Sequence, residues 1–228
     1  MITANIFRRV VRLEFGKGGV ASGFTVESER GNQYLVTARH VVREAEGSDL
    51  TASIEGRQSA IRLDPLPGIP ENVDVAVLPL EEKLTADLEI DVSSQGLIWS
   101  QEVFFLGYPH GLQTAIDHAP EQAFAFVKKG IVSALQSKGD VRVWFVDGHN
   151  NPGFSGGPMC FQNNKSKRWG VFGVVSGYWP EPLRRLSDIS SEQLDEAIGQ
   201  LVANSGIVIG YDISYAADAI RDHEARKD

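Results

Sequence analysis

Asn151-Pro152-Gly153-Phe154-Ser155-Gly156-Gly157-Pro158-Met159 sets a single serine among glycines and prolines, between the apolar run 141–146 and the apolar pair Met159-Cys160. Glycine reaches backbone angles that a side chain forbids, and proline fixes its own. A turn built this way can aim successive backbone N–H groups into one concavity beside the serine hydroxyl. Donors so placed suit an oxygen on which negative charge develops when a carbonyl is attacked. The same composition also suits a solvated hairpin loop. The decision depends on whether a base, and an acid that orients it, stand elsewhere in the chain.

Both are found upstream. Residues 33–37 read as a strand that delivers Thr37-Ala38-Arg39-His40-Val41-Val42, a histidine where a strand gives way to a short helical turn. Residues 72–80, Asn-Val-Asp-Val-Ala-Val-Leu-Pro-Leu, form an apolar strand with Asp74 near its start. Asp is a poor strand former and is costly to bury unpaired, so it stays at the mouth of the strand or finds a donor such as an imidazole N–H. A serine hydroxyl is a weak nucleophile at neutral pH and needs a base. The order His40, Asp74, Ser155 is that of the chymotrypsin template of a serine, a histidine and an aspartate acting as one unit.

The rest of the chain is rich in short strands separated by turn residues, which predicts an all-β barrel or sandwich class. Strands are expected within 7–15, 20–26, 51–63, 103–106, 123–127, 130–135, 141–146, 169–178 and 207–211, with a polar connection over 81–97. Ser190-x-x-Gln193 is a capping box, and Leu194, Ile198, Leu201 and Val202 then line one face. This predicts a helical insertion near 187–204, stopped by Gly206. Residues 214–224 predict a terminal helix with Ala216, Ala219 and Ile220 directed inward.

Composition narrows the function classes. With 22 basic against 30 acidic residues the formal net charge is −8, which argues against a general nucleic-acid binder. Lys165-Ser166-Lys167-Arg168 reads as a solvated hairpin tip. One cysteine, Cys160, allows no intrachain disulfide and fits a reducing compartment. No stretch approaches the ~20 apolar residues that span a bilayer, and the first fifteen residues lack the apolar core of a signal peptide. The expectation is a cytoplasmic protein without membrane contact. His110, His118, His149 and His223 lack ligand-like spacing, so no metal and no cofactor are expected.

Taken together, Thr37-Ala38-Arg39-His40, Asp74-Val75-Ala76-Val77-Leu78 and Gly153-Phe154-Ser155-Gly156-Gly157-Pro158 resemble the three motifs of trypsin-like serine peptidases. The bacterial, disulfide-free branch that includes the HtrA/Deg proteases is the most similar. Ser22-Gly23-Phe24, the Gly-Tyr-Pro-His-Gly ending of 103–111 and Gly130-Ile131-Val132-Ser133-Ala134 extend the resemblance over about 20–178.

The resemblance implies two six-stranded antiparallel barrels, one within 1–90 carrying His40 and Asp74, the other within 91–228 carrying Ser155 and a C-terminal helix. It implies an endopeptidase in which Ser155 attacks, His40 moves the proton, Asp74 orients the imidazole, and the N–H groups of Gly153 and Ser155 form the oxyanion hole. Ser176, Gly177 and Tyr178 would wall the specificity pocket, with His149 and Asn150 at its base. Tyr178 and the lack of an acid within 149–152 then predict cleavage after small or medium apolar residues. The implied partner is a polypeptide substrate, with a regulatory protein as a further candidate; oligomeric state stays open.

The chain departs from the family in having no PDZ-like segment, no Ile-Val-Gly-Gly start, and Phe154 where animal enzymes place the acid that captures a new N-terminus. Ordering of the oxyanion loop must therefore come from another source. The rival reading is a protease-fold scaffold, or a protease inactive until a partner binds. An α/β-hydrolase is excluded by the order of the three residues.

Overall fold

The computed structural model describes residues 2–87, 89–112, 114–116, 119–182 and 202–227. After a short helix α1 (Ala4–Phe7), one antiparallel sheet is built from β1 (Val10–Phe15), β2 (Gly19–Glu27), β3 (Gln33–Thr37), β4 (Leu50–Ile54), β5 (Arg57–Ile61) and β6 (Ala76–Pro79). Their order is β5-β4-β1-β2-β3-β6, and helix α2 (Arg39–Ala45) lies between β3 and β4. The chain leaving β5 reaches back to the free edge of β6, where the Leu66 N–H donates to the Val77 carbonyl at 2.8 Å.

The second sheet holds β7 (Asp91–Val92), β8 (Glu102–Gly107), β11 (Phe126–Lys138), β12 (Val141–Asp147), β13 (Pro158–Gln162), β14 (Trp169–Pro182) and β15 (Val202–Asp212). Six of these close into a barrel, β13-β8-β11-β12-β15-β14, because β13 also pairs with β14. Only β7 lies outside the closure, parallel to β14. β9 (Thr114–Ile116) and β10 (Ala119–Phe124) form a separate pair, and α3 (Ser214–Ala225) follows β15.

Period-two alternation explains how the two sheets share a core. On β3, Leu35 points into the first barrel with Val11, Leu13 and Leu78, while Tyr34 and Val36 point the other way. On β8, Val103 and Phe105 enter the second barrel with Trp144, Met159 and Phe172, whereas Leu106 faces outward. The outward residues of both barrels meet in a third cluster with Ile6, Tyr108, Val174, Ile213 and Ala216. Ala216, Ala219 and Ile220 of α3 are buried there, so the terminal helix covers the junction. Such strands are buried on both faces: all five residues of β3 are buried, with Tyr34-Leu35-Val36 an unbroken apolar stretch at its centre.

Three expectations need correction. The segment 7–15 begins with a helical turn and becomes strand only at Val10. The connection 81–97 contains the short strand β7. The helix expected near 187–204 falls largely outside the described residues, but its end does not: Val202 through Gly206 belong to β15, paired with β14 (Pro182↔Val202, Glu181↔Ala203, Pro180↔Asn204). From Val202 onward, cross-strand pairing outweighs the helical spacing.

Asp212, buried at the end of β15, accepts from the Trp144 indole N–H and from the Ser214 backbone N–H, both at 2.9 Å. Trp144→Phe removes the first donor while nearly keeping the ring. A loss of about 1–3 kcal/mol is expected from urea unfolding, the cost of a buried acceptor stripped of its partner.

Candidate active site

Register brings the first two residues together. In the β3–β6 pair Thr37 lies opposite Ala76, so the chain leaving β3 and the chain entering β6 share one end of the sheet. His40 stands three residues beyond Thr37, in the first turn of α2, and Asp74 two residues before Ala76. The first N–H groups of a helix have no partner within it, and Asp74 supplies one: the His40 N–H donates to Asp74 Oδ1 at 2.8 Å. The imidazole Nδ1 meets Asp74 Oδ2 at 2.7 Å. Arg39 ties down the approach to Asp74 by donating to the carbonyls of Ile69 and Pro70 at 2.9 and 2.7 Å.

A third donor comes from the other barrel. The Ser176 hydroxyl on β14 donates to Asp74 Oδ2 at 2.5 Å. With Nδ1 donating to the carboxylate, a neutral imidazole leaves Nε2 as an acceptor. Burial works against the charged form of His40, but the hydrogen bond and negative charge of Asp74 outweigh it and hold the imidazole above its ordinary range. Burial likewise pushes the Asp74 carboxyl up, and the donors from His40 and Ser176 more than reverse that.

Ser155 arrives on a loop that extends the β13–β14 ladder. Gly156 N–H donates to the Val175 carbonyl at 2.7 Å and Val175 N–H to the Gly157 carbonyl at 2.9 Å, which sets Ser155 beside Ser176. Its hydroxyl donates to the Ser176 carbonyl at 3.2 Å, and no hydrogen bond joins it to the imidazole among the described residues. Two glycines permit this path. Gly156 has φ +84°, and a Cβ there would lie 2.1 Å from Thr37 Oγ1. Gly153 has φ +99°, and its Cβ would lie 2.2 Å from the Tyr108 carbonyl oxygen.

The peptide between Pro152 and Gly153 is oriented by its surroundings. The Pro152 carbonyl accepts from the His110 N–H at 2.7 Å. In a trans peptide the C=O and N–H point in opposite directions, so the Gly153 N–H is turned away from His110. Neither this N–H nor that of Ser155 makes a hydrogen bond among the described residues. The loop therefore carries two uncommitted donors on either side of Phe154.

Sequence reasoning left two contributions without a role. Ser22, fully buried on β2, donates from its hydroxyl to the Gly153 carbonyl (2.6 Å), accepts from Tyr108 N–H (3.0 Å), and gives its own N–H to the Ser155 carbonyl (2.9 Å). The sequence gives the Ser176 hydroxyl no role beyond a pocket wall. The motif Ser22-Gly23-Phe24 marks Ser22 as part of the resemblance but gives its hydroxyl no partner. Of the remaining expected site residues, His149 is exposed and Gly177 and Tyr178 are half-buried on β14. Asn150 is buried; its carbonyl accepts from the Asn204 amide and its Oδ1 has no partner among the described residues. No group of three His, Cys, Asp or Glu side chains is placed to hold a metal ion among the described residues.

Two β-barrels meeting at a histidine–aspartate pair and a serine loop define a chymotrypsin-like fold. The sequence profile of the trypsin-like peptidase domain matches residues 21–168, and the chain belongs to that family of serine peptidases. No curated relative matches it by sequence. Among solved structures it is similar to the HtrA-type protease AlgW with a tripeptide, at TM-score 0.65 and 19% identity over 96% of this chain and 60% of that one. The Rv3671c protease of M. tuberculosis, in its inactive form, gives TM-score 0.58 and 16% identity over 96% and 90%. At these identities the likeness is one of fold, and the chain spans only 60% of the length of AlgW.

An NMR titration of the His40 imidazole tests the electrostatics. Its midpoint is expected above the ordinary value of about 6.5. In Asp74→Asn the two contributions that raise it are weakened while burial remains, so the midpoint is expected to fall below that value. A midpoint that stays unchanged contradicts the pairing.

Proposed function

We propose that this chain is a serine endopeptidase acting through Ser155, His40 and Asp74. The observation that carries the reading is the Asp74 carboxylate, held by three donors and orienting an imidazole at the seam where the Ser155 loop offers two free N–H groups. Ser155 Oγ attacks the scissile carbonyl carbon as its proton passes to His40 Nε2. The resulting oxyanion accepts from Gly153 and Ser155 N–H. The C–N bond then breaks, His40 protonates the leaving amine, and an acyl-enzyme remains. Water, deprotonated by His40, hydrolyses it and restores the serine.

The substrate is an extended polypeptide that pairs with residues 176–178 of β14. AlgW, solved with a tripeptide, is consistent with that class. The ring of Tyr178 and the lack of any anion within 149–152 for a Lys or Arg favour a small or medium apolar side chain before the cut. A peptide library read at that position is expected to favour Ala, Val or Leu; a basic preference refutes the shallow pocket.

Labelling with a fluorophosphonate separates enzyme from scaffold, since only an activated serine reacts. Ser155→Ala and His40→Ala are each expected to lower turnover by about 10⁴-fold or more, and the double variant to be little worse than either, because the residues act as one unit. Losses that multiply would sink the shared mechanism.

A further inference from the structure

Phe154 removes the acid through which a liberated N-terminus could order the oxyanion loop, yet the loop is ordered. Its ring is fully buried and lies edge-on to Phe105, with centroids 5.3 Å apart. Strand β11 runs beside β8 with Lys128 opposite Phe105, and the Lys128 ammonium sits 5.5 Å from the Phe154 centroid, over its ring. The same ammonium donates to the His149 carbonyl at 2.7 Å and to Asn151 Oδ1. The Asn151 carbonyl in turn accepts from Phe154 N–H at 3.2 Å. Alternation along β11 sends the neighbouring Lys129 elsewhere, to an ion pair with Glu102 at 2.5 Å. Lys128 has no carboxylate partner among the described residues, and burial holds its ammonium below the ordinary lysine range.

We propose that Lys128 is the positioning residue of the oxyanion loop: its ammonium clamps the loop at 149, 151 and 154, on both sides of Gly153, and so keeps the Gly153 N–H facing the reacting carbonyl. This rests on the peptidase reading of the site. An ammonium carries three N–H donors, two of which go to oxygens of the loop, and its charge is attracted to the negative face of the aromatic ring. All three partners are uncharged. The clamp therefore forms on folding and needs no new chain end, in contrast to an acid at 154 waiting for a cation. Methionine at 128 would keep the stem and lose both the donors and the charge.

Lys128 acts through the loop, so the readout is phosphonylation of Ser155 by a fluorophosphonate, resolved into maximal rate and half-saturating concentration. Lys128→Met is expected to lower the maximal rate about tenfold or more, part of the 10²–10³ that one oxyanion donor is worth, with half-saturation within about threefold. Lys128→Cys treated with 2-bromoethylamine regains an ammonium at lysine length and is expected to recover most of the lost rate. Cys160 does not compete, being buried with its thiol pushed well up. The comparison of the Lys128→Cys variant before and after alkylation stands even where Lys128→Met does not fold. A Lys128→Met rate within twofold of wild type overturns the proposal, as does a singly alkylated Lys128→Cys protein that regains nothing. Wild-type protein that does not label at all sinks the peptidase reading, and this inference with it; equal labelling of wild type and Lys128→Met sinks this inference alone.

Discussion

A carboxylate taken out of water must be surrounded by donors or it will not stay ionised. Asp74 meets that demand with groups from both sheets: the backbone and ring N–H of His40 beside the first, and the hydroxyl of Ser176 on β14 of the second. One charge thus fixes the imidazole tautomer and joins the two barrels at the place where their shared apolar cluster reaches the surface. A second joint, Ser22 on β2 bonded to both Gly153 and Ser155, works beside it. Sliding one barrel against the other would break the Ser176–Asp74 bond and the bonds of Ser22 together, while the His40–Asp74 pair moves as one body with the first sheet. The apolar cluster supplies most of the attraction between the barrels, and the polar joints select a single docking.

The sequence made the three site residues legible because each stood out against its own surroundings. His40 ends an apolar strand, Asp74 opens one, and Ser155 sits among glycines. Asp74 before a valine-rich run had either to stay at the mouth of the strand or to find a donor, and the β3–β6 register brings that donor. Ser22 and the Ser176 hydroxyl were illegible for the opposite reason. Each sits in a strand with nothing local to name the partner of its hydroxyl, which lies about a hundred residues away in the chain (131 and 102 positions). Local pattern cannot see a bond of that reach. The segment from Val202 failed differently: apolar residues at helical spacing also suit a strand buried on one side, and the length of β14 decided in favour of pairing.

The two free donors of the loop are backbone groups, so no side-chain substitution could place them; only the orientation of two peptide planes can. Gly153 and Gly156 occupy left-handed backbone conformations in contact with Tyr108, Thr37 and Ser22, where a side chain has no room. His110, which is not glycine, also has a positive φ of 52° and donates to Pro152. A non-glycine residue in that region stores about 1–3 kcal/mol of strain and persists only when its surroundings hold it. Strain at His110 and the hydrogen bond to Pro152 belong to one arrangement, which preorganises the neighbouring Gly153 N–H.

The hydroxyl of Ser155 lies 3.2 Å from the Ser176 carbonyl, beyond the usual O–H···O range of about 2.5–3.0 Å, so the bond is weak. The net worth of such a bond is about 1 kcal/mol, or roughly a fivefold bias between two hydroxyl orientations. A bias that small cannot hold the site off by itself. On the peptidase reading it is also the bond that substrate would displace, since an extended chain pairing with β14 presents an N–H to that same carbonyl. Occupation of Ser176 by substrate then frees the hydroxyl for His40, so that binding and alignment of the nucleophile become one event. The small cost of releasing the serine is then met at the moment the scissile bond arrives.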